Sequence, residues 1–121
     1  MPILIRSPMN GNEIARGDVV TVVMAGDYGK PRPALVVQDN AFLGLPSTTV
    51  LQLTSDLSDF PLFRIDIEPS RENGLRETSH IMIDKAVTVR RSKIGRRIGR
   101  IDDDTMRRVD RALARFLGLA A

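Results

Sequence analysis

The sequence predicts a small α+β domain that is mainly β, a curled barrel with one helix packed on it. Three observations carry this prediction. Several short runs rich in β-branched residues are separated by turn signals, which is typical of a small antiparallel sheet. One segment near the end of the chain has the period of an amphipathic helix. The 121 residues, 42% of them hydrophobic, suffice for one domain with its own core.

Composition narrows the classes of function open to this domain. Aromatic residues make up 4% of the chain and Trp is absent, so the core must be aliphatic. The absence of Cys excludes disulfides and thiolate metal sites. The single histidine, His80, does not favour a His-rich metal site or a Ser-His-Asp triad, and we assign it a structural role. We therefore predict no metal and no cofactor. No apolar run reaches the ~20 residues of a membrane span, which predicts a cytoplasmic protein.

The first half of the chain predicts three strands. Residues 1–15 show no clear period and are assigned to an N-terminal arm, while residues 16–121 form the single predicted domain. Three runs have the length and composition of strands: 19–24, 32–38 and 48–53. The loop 25–30 is short enough to give the first two a hairpin-like connection.

The second half predicts further strands, with a turn at Asn73-Gly74 between the first and the second. They are residues 62–67, which alternate in polarity, 80–83, 86–89 and 97–101. The second and third can equally be one strand that bends near Asp84 and Lys85. Residues 92–95 predict a single helical turn.

Only the last segment predicts a long helix. Asp102, followed by two more aspartates, provides an N-cap and negative charge at the positive end of the helix dipole. Apolar side chains then share one face, and Gly118 is a suitable C-cap residue. The members of that face are Met106, Val109, Leu113 and Phe116, with Ala112 and Leu117 beside them.

Arg32 has a distinctive local setting. Pro31 and Pro33 stiffen the backbone on both sides of it, and the apolar run 34–37 follows as a buried strand. A long cation held at the mouth of a core strand can meet a phosphate or a carboxylate. The alternative is an ordinary surface arginine at the start of a strand.

The net charge of +3 is unevenly distributed along the chain. Residues 54–84 carry three basic and seven acidic side chains. Residues 85–100, which we call the basic block, carry seven basic side chains and no acidic one. Such a block suggests a polyanionic partner, because neutralising phosphates supplies most of the non-specific affinity for nucleic acids. A solvated basic face, or a docking surface for an acidic protein, would have the same composition.

The order of motifs along residues 16–119 resembles that of the MazF/PemK (Kid) toxins. No single motif is specific, but the ordered set is. It consists of Arg16-Gly17-Asp18-Val19-Val20, Arg32-Pro33-Ala34-Leu35-Val36-Val37, Leu53-Thr54-Ser55, Ser79-His80-Ile81-Met82-Ile83-Asp84, Ile94-Gly95 and a final helix ending in Leu117-Gly118-Leu119. The resemblance implies an SH3-like β-barrel with a C-terminal helix.

The resemblance also implies a function. These proteins are toxins of type II toxin–antitoxin systems, and they act as metal-independent endoribonucleases (mRNA interferases) that cut single-stranded RNA through attack of the 2′-OH. They are usually homodimers, and an antitoxin bound over the RNA groove silences them. We therefore expect single-stranded mRNA, a cognate antitoxin and a second copy of the chain as partners, and no membrane.

Arg32 and Thr54 match the active-site residues of the family, and Asp84 matches an aspartate that some members also use, so all three are predicted to be catalytic. A guanidinium suits the charge of the phosphorane, a threonine hydroxyl can bind a phosphate oxygen or relay a proton, and a carboxylate can act as base. The chain departs from some members at Met82, where they carry arginine, and at Lys85, where they carry glutamine. The structural alternatives are an ion pair for Asp84 and a β-turn cap for Thr54.

Four further residues are predicted to bind RNA. Tyr28 and Lys30 lie on the loop before Arg32, where they can stack on a base or hold a phosphate. Ser55 and Lys85 adjoin the predicted catalytic positions. The alternative for the loop residues is ordinary loop polarity.

Two other functions are compatible with the same fold. CcdB-like toxins bind DNA gyrase without catalysis, through a C-terminal tail that contains Trp, a residue absent from this chain. A catalytically inactive RNA-binding module is the third possibility, since Met82 replaces an arginine.

Overall fold

A computed structural model describes residues 13–26, 28–57 and 63–119. These residues form one antiparallel six-stranded sheet and one α-helix, which confirms the predicted mainly β domain with a C-terminal helix. The strands are β1 (Asp18–Val23), β2 (Pro31–Val36), β3 (Ser47–Thr54), β4 (Arg64–Ile67), β5 (Ser79–Arg90) and β6 (Ile94–Arg100), and α1 spans Asp103–Phe116. Short 3₁₀ turns occupy Asn40–Phe42 and Arg91–Lys93.

Most element boundaries lie within two residues of their predicted positions. Of the two readings for residues 80–89, the single strand is confirmed, since β5 runs through both segments. β6 begins three residues earlier than the predicted strand at 97–101. Of the predicted N-terminal arm, only residues 13–15 lie within the described part, and Ile14 among them is buried. The rest of the arm lies outside the described residues.

The strand order is β4-β5-β3-β2-β1-β6, so the last strand pairs with the first at one edge of the sheet. The two edge strands, β4 and β6, are not paired with each other, and the predicted barrel is therefore open. Between them lies a groove of about 870 Å³. The turn around Asn73 bridges this gap, because the Arg100 N–H donates a hydrogen bond of 2.7 Å to the Glu72 carbonyl.

Apolar side chains pack on both faces of the sheet. Val19 of β1 faces the first core cluster, whereas Val20 and Val22 face the second, because side chains alternate along a strand. The first cluster contains Val19, Leu35, Leu51, Leu53, Ile65, Ile67, Ile81, Ile83 and Ile101 with Met106 and Val109 of α1. The second contains Ile14, Val20, Val22, Ala34, Val36, Leu43 and Val50. The core is thus aliphatic, as the composition predicts.

β5 contains a large irregularity in its pairing with β3. Leu53 pairs with Ile81 and Leu51 pairs with Ala86, so residues 82–85 stand opposite the single residue Gln52. The extra residues of β5 switch the face of the sheet to which the side chains that follow them in β5 point. As a result, Ile81 packs in the first cluster, and Val87 packs against the second.

Helix α1 begins and ends as its sequence predicts. Asp102 is the N-cap, and its carboxylate accepts hydrogen bonds from the Thr105 hydroxyl at 2.7 Å and the Thr105 N–H at 3.0 Å. These bonds hold the pKa of Asp102 below its ordinary value, the hydroxyl contributing most. Phe116 does not join the core. It is 45% exposed, and its ring packs edge-to-face on Phe63 at 5.8 Å. Gly118 follows the helix with a φ of +75°.

Gly74 allows the turn to approach β6, and its replacement should be strongly destabilising. It has a φ of +70°, and a Cβ atom there would overlap the carbonyl of Ile98. We expect Gly74→Ala to lower the free energy of unfolding by about 2–5 kcal/mol, from backbone strain and overlap together.

Gly26 provides the matched control for this substitution. Its φ is +89°, but nothing lies within 4 Å of a Cβ built there. Gly26→Ala should therefore cost only the strain, about 1–2 kcal/mol. Urea denaturation of both variants measures the difference, and equal losses would contradict a role for the close approach.

Candidate active site

A polar surface lies on the face of the sheet that carries the second core cluster. Arg32 shares this face with Ala34, and Thr54 shares it with Val50, because residues two apart in a strand point the same way. In β4 and the first half of β5, every second side chain enters the first core cluster. The side chains between them therefore point to the same face as Arg32 and Thr54. We call this surface the polar face. Its members are Arg32, Gln52, Thr54, Arg64, Asp66, His80, Met82 and Asp84.

Arg32 lies within β2 and is exposed. β1 pairs along β2 as far as Pro31, but the pairing with β3 ends at Ala34. The two prolines bring no N–H to the ladder, so they limit the pairing at this end and fix φ on both sides of Arg32. Continuing the register of Ala34 and Gln52 by two residues places Arg32 opposite Thr54.

Thr54 ends β3 and is half-buried. Its Oγ1 accepts a hydrogen bond of 3.0 Å from the Asp56 N–H, which is the turn-capping contact that the sequence offered as the structural alternative. This contact leaves the hydroxyl hydrogen of Thr54 available, because a hydroxyl can accept and donate at the same time.

Asp84 lies in the irregular part of β5 and is half-buried. Its Oδ1 atom is buried and accepts no hydrogen bond from the described part of the chain. No ion pair of Asp84 is present within residues 13–26, 28–57 and 63–119, which is the part of the chain that bears on the structural alternative. A buried carboxylate oxygen without a donor is costly, and such groups are frequent at functional sites.

The polar face also holds a histidine–aspartate pair. His80 stands between Thr54 of β3 and Asp66 of β4 in the register of the sheet. Its Nε2 atom lies 2.9 Å from Oδ1 of Asp66. Nδ1 of His80 is buried and has no hydrogen-bond partner among the described residues.

The four predicted RNA-binding residues are all exposed. Tyr28 is wholly exposed and has a φ of +54°, which is uncommon for a residue with a side chain. Lys30 follows on the same loop. Ser55 and Lys85 adjoin Thr54 and Asp84, so they lie at the margin of the polar face.

The basic block is divided between two roles. The buried carboxylate of Asp18 accepts from the Ala15 N–H at 2.8 Å and lies 3.0 Å from Nε of Arg97 and 3.4 Å from Nη1 of Arg100. Arg91 donates to the Leu43 carbonyl at 3.0 Å. Three of the seven cations thus have structural contacts. The exposed remainder consists of Lys85, Arg90, Lys93 and Arg96.

Two features of the described residues bear on function. Among residues 13–26, 28–57 and 63–119, no three His, Asp or Glu side chains are placed to hold a metal ion together. None of the helices in this part of the chain has the length and hydropathy needed to cross a lipid bilayer.

The structure thus brings Arg32, Thr54 and Asp84 to one face. It adds residues that the sequence analysis did not assign to the site. Gln52 could have been found from the alternation of β3, and Arg64 and Asp66 from that of β4. Their proximity to His80 depends on the register of two strand pairs, which the sequence does not specify.

Comparison with known proteins agrees with the motif order. Residues 15–117 match the family described as PemK-like, MazF-like toxin of type II toxin–antitoxin system. The chain is 48% identical over 106 residues to a probable endoribonuclease MazF of Mycolicibacterium smegmatis. The matched region covers 87% of this chain and 97% of that protein. It is 29% identical over 114 residues to endoribonuclease EndoA of Bacillus subtilis, at 88% and 96% coverage. A solved mycobacterial endoribonuclease in complex with its cognate antitoxin superposes with a TM-score of 0.75, at 25% identity, and covers 90% of this chain and 99% of that one.

The two neighbouring arginines Arg96 and Arg97 test the division of the basic block. Arg97→Ala leaves the buried carboxylate of Asp18 short of one charged donor, so we expect the free energy of unfolding to fall by about 1–2 kcal/mol. Arg96 is exposed, and within the described residues its side chain contacts no buried carboxylate. Arg96→Ala should therefore change the free energy of unfolding by less than about 0.5 kcal/mol. Urea denaturation distinguishes the two, and equal stabilities would refute the structural role of Arg97.

Proposed function

The chain belongs to the PemK-like, MazF-like toxin family of type II toxin–antitoxin systems, and on that basis we propose that it is an endoribonuclease that cuts single-stranded RNA on its polar face. The observation that carries the proposal is the 48% identity to a MazF endoribonuclease over nearly the whole chain. The placement of Arg32, Thr54 and Asp84 on one surface supports it.

The proposed reaction is an internal transesterification that needs no metal. The 2′-oxygen of the RNA attacks the adjacent phosphorus, the bond from phosphorus to the 5′-oxygen breaks, and the products carry a cyclic phosphate and a 5′-hydroxyl. The 2′-OH loses a proton and the 5′-oxygen gains one. Catalysis therefore requires a proton acceptor, a proton source and stabilisation of the charged phosphorane.

Each predicted catalytic residue suits one of these tasks. The guanidinium of Arg32 offers a planar pair of donors to two phosphorane oxygens, in a backbone held by two prolines. The Thr54 hydroxyl binds a phosphate oxygen or relays a proton, since its capping contact leaves its hydrogen free. Asp84 contributes a carboxylate whose buried Oδ1 has no donor in the described residues, and it serves in proton transfer.

RNA binding is proposed for the residues around this centre. Tyr28 is proposed to stack on a base, and its full exposure on the loop that precedes Arg32 supports this role. Lys30, Ser55 and Lys85 offer contacts to phosphates. Of the basic block, the exposed cations supply the electrostatic attraction, whereas Arg97 and Arg100 are engaged with Asp18.

The proposed partners follow the relatives. Because the mycobacterial endoribonuclease was solved with its cognate antitoxin, we propose that this chain also binds an antitoxin, and that this binding silences it. We also propose a homodimer, from the dimeric habit of similar toxins, and the cytoplasm as the place of action. A CcdB-like gyrase-binding function is not favoured, since the relatives are endoribonucleases.

The purified protein should cleave single-stranded RNA in the presence of EDTA. Since arginine, threonine and carboxylate groups carry the reaction, chelation of divalent metal should leave the rate unchanged. Incubation with a pool of single-stranded RNAs, followed by analysis of the ends, should give a cyclic or 3′-phosphate and a 5′-hydroxyl. Intact RNA across the pool, or activity lost on chelation, would contradict the proposal.

Arg32→Ala should reduce single-turnover cleavage by about a hundredfold or more, as expected when a donor to the transition state is removed. Arg32→Lys should restore only part of the rate, because an ammonium group cannot make the two-pronged contact. The matched control is Arg96→Ala, an exposed arginine of the basic block, which should leave the rate at saturating RNA near that of the wild type.

Thermal melting separates chemistry from folding in these variants. The exposed side chain of Arg32 contributes little to the core, so its variants should melt like the wild type. A folded Arg32→Ala protein that cuts RNA at the wild-type rate would disprove the assigned role.

A further inference from the structure

We propose that His80, held by Asp66, is a positioning residue that orients the hydroxyl group of Thr54 for RNA cleavage. The inference rests on the proposed function for its catalytic consequence. It gives a role to the single histidine of the chain, which the sequence analysis assigned to structure alone.

The three residues form a row across three neighbouring strands. Asp66 of β4 pairs with His80 of β5, and His80 pairs with Thr54 of β3. Directly opposed residues of an antiparallel pair have Cβ atoms roughly 4.5–5.5 Å apart and point to the same face. The row therefore leads from the surface carboxylate of Asp66 through the imidazole to the hydroxyl of Thr54, and its continuation on β2 is Arg32.

Asp66 determines which ring nitrogen of His80 carries the hydrogen. Its Oδ1 atom lies 2.9 Å from Nε2 of His80, so this nitrogen carries a hydrogen. The His80 side chain is only 12% exposed, whereas that of Asp66 is 78% exposed. In the neutral imidazole, Nδ1 then keeps a lone pair and is a hydrogen-bond acceptor inside the protein.

That acceptor has no donor in the resting structure. Nδ1 of His80 is buried and makes no hydrogen bond within the described residues. The residue directly opposite, Thr54, has the complementary group, since Oγ1 accepts from Asp56 and keeps its own hydrogen. Catalytic hydrogen bonds are often long in the free enzyme and tighten when substrate binds. We place the hydrogen of the Thr54 hydroxyl on Nδ1 in the RNA-bound state, and its remaining lone pair then accepts the hydrogen of the RNA 2′-OH. Of the two tasks proposed for Thr54, this arrangement selects the proton relay over the contact with a phosphate oxygen.

Two amide substitutions separate the functions of the two ring nitrogens. The amide group of His80→Asn stands near the position of Nδ1, and that of His80→Gln near the position of Nε2. We expect His80→Gln to lower the single-turnover rate by about tenfold to a hundredfold, with the RNA concentration for half-maximal rate little changed. His80→Asn should recover most of the rate, because its amide oxygen can accept the hydrogen of the Thr54 hydroxyl in place of Nδ1.

The pair Thr49 and Thr88 supplies a control in the same sheet. Their hydroxyl oxygens lie 2.7 Å apart, away from the row. Thr88→Val should keep the wild-type rate. If His80→Gln also keeps that rate and only melts at a lower temperature, His80 is structural and the inference is wrong.

NMR tests the contact without relying on activity. Because His80 is the only histidine, its ring nitrogens are unambiguous in a ¹⁵N-histidine spectrum. We would record the free protein and the protein with a pool of single-stranded DNA, a probe that lacks the attacking 2′-OH. The hydrogen should reside on Nε2 at neutral pH, and Thr54→Val should shift the Nδ1 signal with the probe present, whereas Thr54→Ser should not.

The outcomes distinguish this inference from the proposed function. Two results would overturn the positioning role even if RNA is cleaved. One is a hydrogen on Nδ1 at neutral pH, and the other is an Nδ1 signal that Thr54→Val leaves unchanged both with and without the probe. An Nδ1 signal that depends on Thr54 in a protein that cleaves no RNA would support the contact and refute the reaction.

Discussion

The irregularity that sets four residues of β5 opposite the single residue Gln52 of β3 is the constraint on which the architecture depends. Before this irregularity, the apolar side chains of β5 enter the first core cluster, and after it they enter the second. One continuous strand thereby contributes to both hydrophobic cores. The polar face occupies the side of the sheet that the first half of β5 turns away from its core, and Asp84 lies at the change of side. The site and the packing of the sheet therefore have a common geometric origin.

Local patterns in the sequence predicted the elements, but not the contacts between distant elements. The period and caps of α1 and the β-branched run of β1 identify these elements, because helix and strand periods are local properties. Residues 81, 83, 87 and 89 are all odd-numbered, and simple alternation would assign them to one face, whereas they serve two cores. The motif order predicted Arg32, Thr54 and Asp84 as candidates. It did not predict the pairing of His80 with Asp66, since two registers must combine to produce it.

The buried carboxylate of Asp18 shows how a linear charge count can mislead. In the sequence, Arg97 and Arg100 belong to a run of like charges that suggests a polyanion. In the fold, both converge on one carboxylate about eighty residues away in the chain. A buried anion requires such partners, because an unpaired charge inside a protein is costly. Part of the basic block thus secures β6 to β1, and those arginines are not simply a surface for a ligand.

The strand order has a consequence for the order of events during synthesis. β1 leaves the ribosome first among the strands, but its outer neighbour is β6, the last strand of the sheet. A nascent chain that ends before Ile94 therefore exposes one edge of β1, and the sheet gains its final strand only when the chain is nearly complete. Closing so long a loop carries an entropic cost that local pairing avoids, so this pairing is a late step in folding. The fragment still bound to the ribosome would then be less ordered than the released protein. For a protein that acts on RNA, this means that activity begins only after synthesis of the chain is nearly finished.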